Sequence, residues 1–216
     1  RKDAKFIGER ILVRQIPSKL PYAINAVFTS EEFINDRNSM IIQDLKVNPM
    51  FVLAILNCKL TSFWFDITFN KFSRTIFPQF KINELRRFPV PNISTENQAP
   101  LITQAQKMLD LTAQFNELSN KFIKLLSADL GIVKITKKLE KWHNLEVDEF
   151  FAEVAKQNKT LSLSQKSQWL EHFEGEKQKA VDLQNKISKT DAEIDKMVYE
   201  LYGLSDEEIK IIEEIK

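Results

Sequence analysis

A single cysteine, Cys58, stands in 216 residues, which excludes a disulfide framework and any zinc site built on cysteine pairs. Two histidines, His143 and His172, lie 29 positions apart with no ligand cluster beside either, so no metal centre is expected. Four glycines are too few for a phosphate-cradling loop, and neither G-x-G-x-x-G nor G-x-x-x-x-G-K-[ST] occurs. No apolar run approaches the ~20 residues of a membrane-spanning helix. The Arg1-Lys2-Asp3 start has no feature of a signal peptide. The expected setting is cytoplasmic, with no membrane and no small-molecule substrate as partner.

Charge is present but unevenly placed. The formal balance of the chain is +1, yet residues 1–92 carry +6 and residues 93–216 carry −5. A polyanion, if one is bound, would meet the basic part; scatter over solvated surfaces explains the same split equally well, so charge alone leaves both readings open. Texture divides the chain at the same place. Six of the seven prolines precede residue 92. Arg10-Ile-Leu-Val-Arg-Gln-Ile16 reads as a strand ended by Pro17, with further strands over Tyr22–Thr29, Ser39–Leu45 and Thr75–Phe77. Asn48-Pro49 fits an N-cap and first helical position, followed by one apolar-periodic helix through Val52, Ile55, Leu60 and Trp64. Pro78, Pro89 and Pro91 argue for extended chain and turns up to Ser94.

Beyond Pro100 the period becomes helical. Leu101, Ala105, Met108, Leu111, Phe115, Leu118, Phe122 and Leu125 form one stripe, and Ala180, Leu183, Ile187, Thr190, Ile194, Met197 and Leu201 a second of matching 3.5 repeat. The two could zip as antiparallel helices. Shorter helices are expected over Lys134–His143, Val147–Ala155 and Ser164–Phe173. Thr190 with Glu193 forms a capping-box pair that allows a restart, and Ser205 with Glu208 another that launches a terminal helix after Gly203. The expected class is α+β: a mixed α/β domain at 1–95, then an all-helical region at 96–216 with long antiparallel helices.

Catalytic chemistry finds no support. Cys58 lies inside the apolar-periodic helix and reads as a packing residue. Both histidines read as surface or boundary residues. Glu208-Ile-Lys210 matches half of a nuclease metal motif, but the Pro-Asp half is missing. The positive signal lies between Lys59 and Arg87. Lys59, Lys71, Arg74, Lys81, Arg86 and Arg87 face only Asp66 and Glu84, interleaved with aromatics that read mostly as core. Cations neutralise phosphates, while Arg, Asn and Gln read base edges in pairs of hydrogen bonds. Candidate DNA-binding residues are therefore Lys71, Arg74, Gln79 and Lys81, with Arg14 and Gln15 at a strand end and Arg37 and Asn38 in a turn. Arg86-Arg87 reads equally well as helix- or strand-end solvation.

The ordered succession Leu53-Ala-Ile-Leu-Asn-Cys-Lys-Leu60, Phe63-Trp-Phe65, Phe77-Pro-Gln-Phe-Lys-Ile82 and Arg87-Phe-Pro-Val-Pro91 resembles the TaqI-like C-terminal specificity domain. That domain belongs to type IIG restriction–modification enzymes and adenine-specific DNA methyltransferases. Ile11-Leu-Val-Arg-Gln15 looks like the family's opening strand. Thr190-Asp-Ala-Glu-Ile-Asp-Lys-Met-Val-Tyr-Glu-Leu-Tyr-Gly-Leu-Ser-Asp-Glu-Glu-Ile209 looks like its characteristic tail. Cys58 stands where relatives commonly carry a small hydroxyl residue. The resemblance implies a target-recognition domain that clasps double-stranded DNA beside an N-terminal methylase domain of the same polypeptide. S-adenosylmethionine and Mg are expected only for those further domains, with no cofactor, metal or catalytic residue in this portion, and an isolated portion should bind DNA weakly. The competing expectation is a helical protein–protein assembly module with no direct DNA contact.

Overall fold

The computed structural model describes residues 7–70, 79–157 and 161–214. The chain forms two compact units: residues 1–107 with 190–216, and residues 108–189. The unit limits fall inside the two long helices, and the second helix returns the chain to the first unit.

The first unit is built on a three-stranded antiparallel sheet in the order β2-β1-β3, with β1 at Arg10–Arg14, β2 at Ala26–Thr29 and β3 at Ser39–Ile42. Both outer strands are shorter than the sequence pattern suggests. Residues 22–24 leave the ladder, where Ser62 Oγ accepts the amides of Ala23 and Ile24 at 2.9 and 3.4 Å. Asp44 takes a positive φ of 56° and turns the chain away from β3. Strand alternation puts Ile11 and Val13 on one face, both fully buried, where helix α1 (Pro49–Asn57) packs. Arg10, Leu12 and Arg14 share the other face. Asn57 finishes α1 by accepting the Ala26 amide at 2.8 Å and donating to its carbonyl at 3.0 Å, which covers one end of the β2 edge.

The single apolar-periodic helix expected after Asn48 is two helices. Asn48 does cap α1, accepting from the Met50 amide. Cys58 then adopts an extended conformation (φ −78°, ψ 162°) and starts α2, Lys59–Phe69. Its Sγ accepts the Thr61 amide at 3.4 Å while the thiol donates to Ile55 O at 3.1 Å. Cys58 is buried, as expected of a packing residue, but it is also an N-cap, doing with sulfur what a serine or threonine hydroxyl does there. A one-turn helix α3, Ile82–Leu85, interrupts the stretch expected to be extended chain and turns. The strand expected at Thr75–Phe77 lies outside the described residues.

Among the described aromatics between Lys59 and Arg87, Phe65 and Phe80 are core, and Phe63, Trp64 and Phe69 are half-buried. Phe65 and Phe80 are buried with ring centroids 4.9 Å apart, Phe88 joins Phe80 at 5.3 Å, and Trp64 joins Phe88 at 5.2 Å. Arg87 stacks over Phe69 at 5.1 Å.

Helix α4 runs Thr95–Leu130 and α6 runs Leu163–Tyr202. The separate helix expected at Ser164–Phe173 is the first part of α6, and no restart occurs at Thr190, which is buried mid-helix. The stripe of α4 slips at its end: Leu125 is 44% exposed, whereas Leu126 is fully buried. A strict 3.5 repeat drifts off the buried face of a 3.6-residue helix, and here the drift has reached one position.

The second unit has its own core. Phe122 stacks on Trp142 at 3.8 Å, and Phe150 on Phe173 at 4.5 Å; Leu126, Leu130, Leu139 and Trp169 complete it. Contacts of α4 residues Phe122 and Asp129 with Phe173 and Trp169 run in opposite chain order, as antiparallel helices require. Between them lie a 3-10 helix, Leu139–Asn144, and α5, Val147–Ala155. The 3-10 segment replaces the longer helix expected over Lys134–His143.

In the first unit, α7 (Asp206–Glu213) follows Gly203, whose φ of 67° ends α6, and the Ser205–Glu208 capping box is formed. A buried polar cluster joins the end of α6 and α7 to α2. Asp195 accepts the Tyr22 hydroxyl at 2.8 Å and the Lys59 amide at 2.9 Å. Lys59 Nζ pairs with Glu213 at 2.5 Å, which also accepts the Tyr199 hydroxyl at 2.8 Å. Tyr202 donates to Pro89 O. Burial raises the Asp195 carboxyl above its ordinary range, against the bonds from Lys59 and Tyr22. Burial alone would also raise Glu213, but Lys59 and Tyr199 hold it below.

Candidate nucleic-acid interface

The open face of the sheet and the loop between β2 and β3 enclose a groove of about 610 Å³. Its floor follows from strand register. Leu12 pairs with Val27, Val13 with Met40 and Arg14 with Ser39, so Leu12, Arg14, Val27 and Ser39 share the face that α1 leaves uncovered. The loop supplies the wall through Phe33, Ile34, Asn35, Asp36 and Asn38.

Arg10 makes that wall possible. It is only 1% exposed. Its guanidinium donates to Gly8 O at 2.9 Å, Glu31 O at 2.7 Å and Phe33 O at 3.3 Å, and it lies 4.9 Å from the Phe33 ring centroid. Three backbone carbonyls and a ring are thus tied to one side chain, which holds the loop over the sheet. Asp36 shapes the far end of the loop, accepting from the Asn38 amide at 3.0 Å and the Ser39 hydroxyl at 2.9 Å.

Backbone bonds gather several candidate residues at the end of β1. Gln15 donates its amide to Asn38 O at 2.7 Å and accepts the Phe80 amide at 2.7 Å. Arg14 donates its amide to Asn25 O at 2.9 Å. Arg14, Gln15, Asn38 and Gln79 therefore meet around one strand end although they span 66 positions of chain. Arg14, Asn38 and Gln79 are exposed and Gln15 half-buried. Arg14 and Asn38 line the groove. Arg37, next to Asn38, is exposed outside the groove lining, as is Lys81, the residue that starts α3. Lys71 and Arg74 lie outside the described residues.

Sequence reasoning missed Arg10, Asn25, Val27 and Asn35. Strand parity held the signal for Arg10, because a strand that points Arg14 at the open face must point Arg10 there too. Asn35-Asp-Arg-Asn38 held another, as a run of turn-forming side chains. Of the two histidines, His143 proves buried. Burial, helped by Lys141, lowers its pKa, and its ring packs on Phe115 at 5.0 Å.

Two family models match. Residues 94–198 match one described as a domain of unknown function (DUF8810), and residues 2–90 match the TaqI-like C-terminal specificity domain. No curated protein and no solved structure matches the chain. The sheet, its groove and helices α1 to α3 all fall within the second of these matches. The likeness to the TaqI-like C-terminal specificity domain thus spans the part of the chain that holds the sheet and its groove.

Proposed function

We propose that this chain recognises a double-stranded DNA sequence, as the specificity portion of a cytoplasmic restriction–modification enzyme whose methylase domain performs the reaction. The observation that carries the reading is the gathering of Arg14, Gln15, Asn38 and Gln79 at one end of β1, beside a groove, inside the segment that matches the specificity family. Arg14, Arg37 and Lys81 supply exposed cations around the same strand end, with Lys71 and Arg74 adjoining in sequence. Type IIG organisation, a fused nuclease, S-adenosylmethionine and Mg belong to the domains this portion would serve. Among the described residues no group of three His, Cys, Asp or Glu could hold a metal ion, and no single helix is long and apolar enough to cross a membrane.

The test is a duplex-binding titration of the 216-residue chain at several salt concentrations. Five phosphate contacts would lower affinity on the order of 10²-fold between 50 and 200 mM salt. Neutralising Arg14, Lys71 and Arg74 together should flatten that dependence by about three contacts. Binding indifferent to salt, or unchanged in the triple variant, refutes the assignment of these residues.

A further inference from the structure

The groove carries side chains that the fold leaves unspent. Asn35 serves the loop itself, its Nδ2 donating to Asp36 O and Ser39 O and its Oδ1 shut off from solvent. Asn38 offers an exposed amide whose Nδ2 makes only a 3.3 Å bond to Asp36. Val27 and Ile34 line the groove while 50% and 81% exposed, so apolar surface faces outward beside the Asn38 amide. The charges offset each other, one guanidinium on Arg14 against one carboxylate on Asp36. A phosphate would call for a surplus of cations. A guanine would engage Arg14 alone and leave the Asn38 amide and the apolar surface of Val27 and Ile34 without a partner. An amino group beside a methyl group fits better, and adenine N6 and the thymine C5-methyl group lie side by side on the major-groove edge of an A·T pair. Cytosine offers an amino group without the methyl.

Resting on the DNA-recognition reading above, we infer that this groove reads an A·T base pair from the major groove. The Asn38 amide pairs with the adenine edge, its Nδ2 donating to N7 and its Oδ1 accepting from the N6 amino group, and Val27 and Ile34 cover the thymine methyl group. Arg14 is left for a neighbouring phosphate, and Arg10 is a positioning residue that holds the loop.

The experiment incubates the 216-residue chain at low salt with a randomised duplex pool and sequences the bound fraction. A second pool carries deoxyuridine for thymidine, which deletes only the major-groove methyl group. The expected result is enrichment of A·T at one position, falling about fourfold in the deoxyuridine pool, the worth of one buried methyl group. Val27→Ala should lose the thymidine preference, and Asn38→Ala should lose the adenine preference. Duplex binding with no A·T enrichment, or with enrichment indifferent to deoxyuridine, overturns this inference and leaves DNA recognition standing. Failure to retain any duplex at low salt overturns both.

Discussion

Replacing Asp195 separates two roles that one carboxylate combines. Its oxygens receive the Tyr22 hydroxyl and the amide of Lys59, the first residue of α2, so it acts as a helix cap delivered from a distant helix. Its charge faces Lys59 Nζ at 3.8 Å. Burial nevertheless raises its pKa, which means that desolvation outweighs the help the ion receives. The bonds, not the charge, should therefore carry the stabilisation. Asp195→Asn keeps an acceptor for the Lys59 amide, and its amide nitrogen can donate to the Tyr22 oxygen; the cost should stay within about 1 kcal/mol. Asp195→Ala strips a capping bond worth about 0.5–2 kcal/mol and leaves a Tyr22 hydroxyl unpaired for about 1–3 kcal/mol. The expected loss is about 2–4 kcal/mol. Native-state hydrogen exchange of the α2 amides reads this directly, since each 1.4 kcal/mol is about tenfold in protection. Residues 59–69 should exchange roughly thirty- to several-hundredfold faster in the alanine variant and less than about fivefold faster in the asparagine variant. Equal acceleration in both would place the energy in the ion pair and refute the reasoning.

Three further outcomes follow from neighbouring features. Burial and the nearby Asp195 raise Asp191 to about 6 from 3.8, against Lys59, so the folded form holds this proton more tightly than the unfolded chain does. Its stabilisation is complete below about pH 4 and is lost as pH rises through 6. Asp191→Asn should gain about 1 kcal/mol at pH 7.5, discounted for partial exposure, and should flatten the stability profile between pH 4 and 6 in urea titrations. Burial pushes the Cys58 thiol up to about 11, so it should resist a thiol reagent at pH 8 until the first unit unfolds; Cys58→Ser should keep the α2 cap, and Cys58→Ala should cost about 1 kcal/mol more than serine. In the second unit, Phe122→Ala removes the ring stacked on Trp142 and should cost about 3–5 kcal/mol, seen as a lowered calorimetric transition with loss of near-ultraviolet dichroism.

Periodicity carried most of the fold, and it failed where a side chain replaced a backbone bond. β1 and the two long helices follow from apolar spacing alone, because burial of one face decides them. The break at Cys58 leaves the apolar spacing intact on both sides, so no pattern of hydrophobicity could reveal it; the residue that ends α1 and caps α2 stood in sequence only as a lone thiol within an apolar run. β2 is short in the same way, with Ser62 accepting the amides of Ala23 and Ile24 just ahead of it. The continuity of α6 through Thr190 shows the converse. A capping box in sequence forms a cap only where the chain has reason to leave the helix, and Thr190 is fully buried in mid-helix.

The candidate site was legible residue by residue but not as a surface. Arg14 and Asn38 stand out as exposed hydrogen-bonding groups in sequence, whereas their meeting depends on the pairing of Arg14 with Ser39 and on the Gln15 amide bond to Asn38 O, which only a folded sheet end creates. Arg10 was the least legible and matters most to the shape. Its charge suggests solvent, yet it is buried because three carbonyls of the bent segments around it would otherwise lack donors, the condition under which a buried guanidinium is tolerated. Of the two arginines on one face of one strand, the buried one fixes the loop and the exposed one is free to meet a ligand. Removing Arg10 should therefore disturb recognition through the loop's geometry, whereas removing Arg14 should weaken binding with the loop intact. Exchange protection of residues 31–38, lost in Arg10→Met and retained in Arg14→Ala, is the measurement that tells these two arginines apart.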